Sequence, residues 1–516
     1  MAYSQFVLLA LLTLLPYTST RPLHDLQPIA RCASSDAVRF RGTTAHNVES
    51  FLNICFGEDT SGVNRFTPPK PFSYPAGALV NATQPGAACP QPKQAVPTMP
   101  LFDVVTSMSE DCLTLRVDRP ANTPASAKLP VMVWIYGGGD SFGQIYDSAY
   151  DPPSLVLGAA EKGLPIIYVD MNYRVGVFGF VTSHILNASD SLNVGLLDQR
   201  LAMGWVRDHI AAFGGDPDNV TLFDESDGAT GAGLQVTPFG GQREAPFKRV
   251  IMQSGSPMGD PGTASTKSAE HTEQLIKLVF YTSSTSEAEL ACLRSIPMAK
   301  LNTVAVAYQN KVGGDSGMDV FIPDDGSFST LATLSSGEDV FAYLKSEYPA
   351  FSNRTIERAM TLYPVSSFAA LPAEGISAHY LRTSRMKRDA EFSCPTLYTA
   401  QMNHRDIPYV FNQASAEGYE PYVTPEDLIV SSDISGSWAA FAKSERPSNG
   451  SGTVSGWVDA FDSSTASASK DEYILQVIGG PKNGTRATSN GQSGYEELVA
   501  RCAFWTSEEV LAGLGV

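Results

Sequence analysis

Charge is scarce in this 516-residue chain, and basic charge is scarcer still: 17% of the residues are charged, 36 Lys and Arg stand against 54 Asp and Glu, and the formal net charge is −18. Such a surface repels phosphate backbones and offers no basic patch, which removes nucleic acid from the expected partners. Metal-ligand spacing is missing as well. No H-x-x-x-H, no C-x-x-C and no carboxylate cluster appears, so no metal is expected. No P-loop or dinucleotide glycine fingerprint is found, and no cofactor is expected. Long apolar runs are absent but for one: residues 6–15, a ten-residue stretch too short to span a bilayer. Pro16 and Thr18-Ser19-Thr20 follow it, the order of a secretory signal peptide cleaved near Thr20, although Lys and Arg are lacking before it. No stable membrane span is expected. Cysteine is sparse and odd in number, seven in all, at 32, 55, 89, 112, 292, 394 and 502. At least one thiol therefore stays unpaired or pairs between chains, and the sequence leaves the oligomeric state open.

Hydrophobic content of 43% and 43 glycines describe a loop-rich globular chain able to bury a large core. That length suits one sheet carrying large insertions, so residues 21–516 are read as a single domain behind a leader of residues 1–20. Sequons at Asn81, Asn187, Asn219, Asn353, Asn449 and Asn483 suit a secreted glycoprotein, with Asn219 set apart because it abuts a buried strand.

The chain is organised around Val220-Thr-Leu-Phe-Asp-Glu-Ser226-Asp-Gly228, a β-prone apolar run that meets a serine and then small residues. Strand, sharp turn and helix in that order form a nucleophile elbow, G-x-S-x-G, which holds a serine Oγ clear of the sheet. Here Asp224 takes the place of the first glycine, and Asp227 stands where a small residue is usual. A second apolar run, Val131-Met-Val-Trp-Ile135, has the pattern of a central parallel strand buried on both faces, and it ends in Tyr136-Gly-Gly-Gly139. Three glycines after such a strand allow backbone N–H groups to approach a ligand that side chains would block.

With Asn193-Val-Gly-Leu-Leu-Asp-Gln-Arg200 and Gly214-Gly-Asp-Pro before the elbow, and Ser109-Glu-Asp-Cys-Leu-Thr-Leu115 and Asn172-Tyr-Arg-Val-Gly176 upstream, the chain resembles the type-B carboxylesterase/lipase family, cholinesterase-like α/β-hydrolases. The resemblance covers nearly the whole mature chain. It implies an α/β-hydrolase fold, with a mostly parallel central sheet flanked by helices and large lid insertions near 265–280, 286–299, 337–346 and 353–362. It also implies Ser226 as nucleophile, an oxyanion hole from the N–H groups of Gly138, Gly139 and Asp227, and a disulfide between Cys89 and Cys112. Cys32 with Cys55 is a possible second pair, and Cys292 is read as free.

The remaining triad positions depart from the family. Pro323-Asp-Asp325-Gly-Ser-Phe328 is the nearest match to the acid turn and would supply Asp325, but residues 321–326 could instead match an earlier segment. The base motif aligns with Asn403-His404-Arg-Asp-Ile-Pro-Tyr-Val-Phe411, which puts an amide at the base position and His404 one residue late. A carboxamide cannot take a serine proton near neutral pH, so His404 would serve only after a loop shift. Two readings follow: an ester hydrolase with weak or absent hydrolysis acting on an ester or apolar small molecule, or a non-hydrolytic relative using the pocket for ligand binding or a biosynthetic step.

Overall fold

The computed structural model describes residues 28–31, 38–94, 102–183, 186, 191–236, 245–255, 267–279, 286–312, 336–348, 350–368, 377–387, 410–413, 424–448, 450–457, 474–477, 484–487, 501–502, 504–505, 507 and 509–510. Its centre is a mixed sheet. In chain order the strands concerned are β1 (Thr43–Ala45), β2 (Val48–Cys55), β3 (Thr114–Pro120), β4 (Leu129–Ile135), β5 (Ile167–Met171), β6 (Gly215–Glu225) and β7 (Arg249–Gln253). Across the sheet they lie in the order β7-β6-β4-β5-β3-β2-β1. The pairs β7·β6, β6·β4 and β4·β5 are parallel, and those from β5 to β1 are antiparallel. The site lies in the parallel half.

The apolar runs account for that placement. β4 is buried along all but its first residue and β5 along its whole length, as strands covered on both faces must be. Register sets Trp134 opposite Phe223 and Ile135 opposite Asp224, so the glycine loop leaves β4 where β6 approaches its turn. Phe411 docks beneath these strands, with ring centroids 5.0 Å from Trp134 and 5.8 Å from Phe223. The end of the expected base segment is thus fixed in the core, while Asn403 and His404 lie outside the described residues.

Helices cover the sheet: α1 (Pro153–Glu161), α2 (Gly176–Phe180), α3 (Val194–His209) and α4 (Asp227–Val236). α3 buries Asp198 within its packed face, an ionisable group in a place that apolar periodicity does not foresee. Arg174 satisfies it with two side-chain hydrogen bonds of 2.7 Å. α4 packs closely because Gly228, Ala229, Gly231, Ala232 and Gly233 form its buried side.

Four further helices lie near the expected lid positions: α5 (Lys267–Val279), α6 (Ser286–Ser295), α8 (Gly337–Glu347) and α9 (Asn353–Leu362). The expected helix over 286–299 stops short, and a separate one, α7 (Met298–Val312), begins after Pro297. Proline has no N–H for the ladder and clashes with the preceding turn, yet its carbonyl starts α7 by accepting from Lys300 and Leu301. Arg65 fastens the end of α6 to the body. It holds Glu110 through two bonds of 2.6 Å and donates to the carbonyls of Leu293 and Ile296.

Cys89 and Cys112 are bonded, with Cα atoms 5.1 Å apart. Cys55 is free, which corrects the possible pairing with Cys32: its strand seats it against Tyr74, whose hydroxyl accepts from the Cys55 N–H at 2.8 Å. Cys292 is free as expected, and Cys502 is disulfide-bonded. No helix among the described residues is long and apolar enough to cross a membrane.

Candidate active site

β6 ends at Glu225, and the chain turns into α4 through Ser226, whose φ is +56°. An L-residue enters this left-handed region only at a cost of about 1–3 kcal/mol, so the surroundings must hold it there. They do so with hydrogen bonds and with steric walls. The Ser226 N–H donates to the Gln253 carbonyl at the end of β7 at 2.9 Å, and the Ser226 carbonyl accepts from Thr230 at 3.0 Å. Gln253 is fully buried and is itself held by Trp438, whose Nε1 donates to its Oε1 at 2.8 Å.

Glycines surround the turn because nothing larger fits. A Cβ on Gly137 would come to 2.6 Å from the Glu225 carbonyl and 2.7 Å from Ser226 Cβ, and one on Gly228 would collide with the Ile135 carbonyl. Gly255 is closed in the same way by the Ser226 carbonyl. The serine therefore faces the glycine loop, as the sequence implied. Gly138 and Gly139 have φ of +116° and +59°, and Asp140 follows at +44°. Ser141 Oγ accepts from Gln309 of α7 at 3.2 Å, and Gln91 brackets the backbone of Gly143 with bonds of 2.7 and 2.8 Å. No motif points to the Gln253, Gln309 or Gln91 contacts, which join distant parts of the chain.

Two aspartates alter the chemistry of this frame. The Asp227 carboxylate folds back into the loop, where its Oδ2 accepts from the Gly139 N–H at 2.6 Å and lies 3.3 Å from Ser226 Oγ. It thereby engages an N–H that the resemblance assigns to the oxyanion hole. Burial pushes its carboxyl up from the ordinary aspartate range, opposed by the bonds from Gly139 and Ser226. Asp224 is fully buried at the end of β6, and its Oδ1 accepts from the Ile135 N–H at 3.1 Å while Oδ2 has no partner among the described residues. Burial raises that carboxyl well above its ordinary value, the Ile135 bond opposes the shift, and Asp170 adds to it.

Ser226, Gly139 and Asp227 thus come together, with the Asp227 side chain supplying an acceptor to the loop. An aspartate in the elbow signals charge at the hole, but the sequence does not tell which N–H its side chain reaches. Asp325, like Asn403 and His404, falls outside the described residues. No metal-ligating group of three His, Cys, Asp or Glu occurs among the described residues.

A strained serine at the end of a parallel strand, facing three glycines, is the arrangement of an α/β-hydrolase. The family model described as the carboxylesterase family matches residues 36–337. The chain belongs to the carboxylesterase family. Among its carboxylesterase-family relatives is a protein of Byssochlamys spectabilis named inactive carboxylesterase-like protein VdtD, 32% identical, with 90% of this chain and 92% of that protein covered. A secreted lipase of Arthroderma benhamiae is also 32% identical, with 99% of each chain covered. Among solved structures, EstA of Aspergillus niger superposes with a TM-score of 0.73 at 21% identity, covering 96% of this chain and all of the other, a likeness of fold.

Proposed function

We propose that this is a secreted carboxylesterase-family protein, one domain of residues 21–516 behind a leader of residues 1–20, in which Ser226 keeps the nucleophile position but ester hydrolysis is very weak or absent. The observation that carries this reading is the Asp227 carboxylate on the Gly139 N–H. Acyl transfer places negative charge on the substrate oxygen in the transition state, and a single oxyanion-hole donor contributes about 10²–10³ in rate. Here that donor is already engaged, and the engaging group is itself acidic. Asn403 at the base position would remove general-base help as well, leaving His404 and Asp325 as the remaining triad candidates.

The pocket would then hold a small ester or apolar molecule without turning it over at an enzymic rate. The name of the Byssochlamys relative as inactive favours this second, non-hydrolytic use. Secretion is supported by the leader pattern and by the name of the Arthroderma relative. The test is turnover of p-nitrophenyl butyrate by the wild type and by Ser226→Ala. Rates for both that stay within about tenfold of the buffer reaction are expected. Brisk wild-type turnover that Ser226→Ala abolishes would refute the reading and make this an ordinary esterase.

A further inference from the structure

The hydrogen-bonding character of the oxyanion site is mixed. An unmodified hole presents only donors, which suits an acceptor such as an ester carbonyl. Here the Gly139 N–H is buried and taken by Asp227, whereas the neighbouring Gly138 is only part-buried and its N–H has no hydrogen-bond partner among the described residues. Ser226 and Asp227 are likewise only part-buried, so an incoming molecule can reach them. The centre therefore combines donors without a partner among the described residues, the Gly138 and Asp227 N–H groups, with an acceptor, the Asp227 carboxyl.

We propose that this centre recognises a ligand hydroxyl, which donates to Asp227 and accepts from the Gly138 N–H. The proposal rests on the reading of the Ser226 turn as the ligand-facing centre. It follows from what each group can offer. A carbonyl oxygen only accepts, so it would set its lone pairs against those of the carboxylate. An ammonium only donates, so it would leave the Gly138 N–H unmatched. A hydroxyl carries one donor and two acceptor sites and satisfies both. Discrimination of this kind comes from the buried polar group left unpaired by the wrong ligand, and it exceeds what an added methylene achieves.

The test uses four probes of one size: octan-1-ol, the ether 1-methoxyheptane, octan-2-one and octylammonium, titrated into the full chain by ligand-observed NMR. Octan-1-ol is expected to bind at least about tenfold more tightly than each of the other three, from the hydrogen bond each of them forfeits. In Asp227→Ala the preference over octan-2-one should fall to within about threefold or reverse. Equal binding of alcohol and ether by the wild type, no binding of the alcohol, or tighter binding of octylammonium would each overturn the proposal. So would an Asp227→Ala protein that keeps the full alcohol preference. The wild-type comparison decides the matter even if the variant does not fold. Fluorophosphonate labelling of Ser226 in Asp227→Ala provides the separate check on hydrolytic competence, so failure of hydroxyl recognition is distinguishable from failure of the functional reading.

Discussion

Replacing Asp227 by alanine should open the oxyanion site, and the size of the effect can be worked from the contacts. The substitution removes the acceptor that holds the Gly139 N–H at 2.6 Å and deletes a carboxyl 3.3 Å from Ser226 Oγ. One recovered donor is worth roughly 10²–10³ in rate, about 2.7–4 kcal/mol. Removing an ionised carboxylate from beside a developing oxyanion would add up to about 4 kcal/mol at 4 Å and an effective dielectric of 20, a term that overlaps the first and does not sum with it. A rise of at least about 100-fold is therefore expected in the rate at which a fluorophosphonate labels Ser226, read by mass spectrometry of the Ser226 peptide. The sign with pH is fixed by the raised carboxyl of Asp227. Below its native value the group is neutral and opposes negative charge less, so the ratio of variant to wild type should be smallest in acid and grow as pH rises through that value. With Asn403 still at the base position the gain remains partial. Combining Asp224→Gly, Asp227→Ala, Asn403→His and His404→Gly should exceed any single change by far, because triad members act as a unit. Labelling of Asp227→Ala no faster than wild type, in a folded protein, would refute the plugged-hole argument.

Other consequences are open to direct measurement. Removing the Cys89–Cys112 bond, which closes residues 23 apart in sequence, should cost roughly 3 kcal/mol in the chain-entropy picture, seen as a lower denaturation midpoint of the double alanine variant. Phe411→Ala should cost about 3–5 kcal/mol, because the ring fills the space between Trp134, Tyr168 and Phe223; a loss below 1 kcal/mol in denaturant titration would show that the segment does not dock there. Asp224→Asn should stabilise progressively with pH. The wild-type carboxyl, raised in the native state, ionises first in the unfolded chain, so native stability falls as pH climbs above the unfolded value near 3.9. The melting temperatures of variant and wild type should thus differ least near pH 4, and a difference independent of pH would count against a buried protonated Asp224.

The parallel half of the sheet was legible because its strands are nearly uninterrupted apolar runs and its turns carry glycines that serve no other purpose. Val131–Ile135 and the elbow could be placed from pattern alone. The helix break at Pro297 was missed, since the expected helix of 286–299 ran through it, and the following stretch, Met298–Val312, mixes polar and apolar residues too evenly for periodicity to mark it. Long-range polar contacts were beyond reach. Asp227 meets Gly139 across 88 residues, and Arg65 meets Ile296 across 231. Which side-chain rotamer makes such a bond depends on how two distant loops are seated. Asp198 shows the same limit from the other side: in a helical pattern it reads as a solvent-facing residue, yet it is fully buried because Arg174 reaches it from the loop after β5.

The steric and electrostatic parts of the elbow have separate fates in this molecule. Sterically it is kept: Gly137, Gly228 and Gly255 each sit where a Cβ would strike backbone, and Ser226 retains the positive φ that lifts its hydroxyl off the sheet. A chain that had merely lost its catalytic role would have no chemical need for that strain, which costs about 1–3 kcal/mol wherever it occurs. Electrostatically the site is altered at two residues that act differently. Asp224 is bound into the β4–β6 junction through Ile135 and bears on folding, whereas Asp227 touches both the glycine loop and the serine and bears on whatever occupies the pocket. A retained frame with a changed complement of donors and acceptors is what the proposed non-hydrolytic use of the site requires.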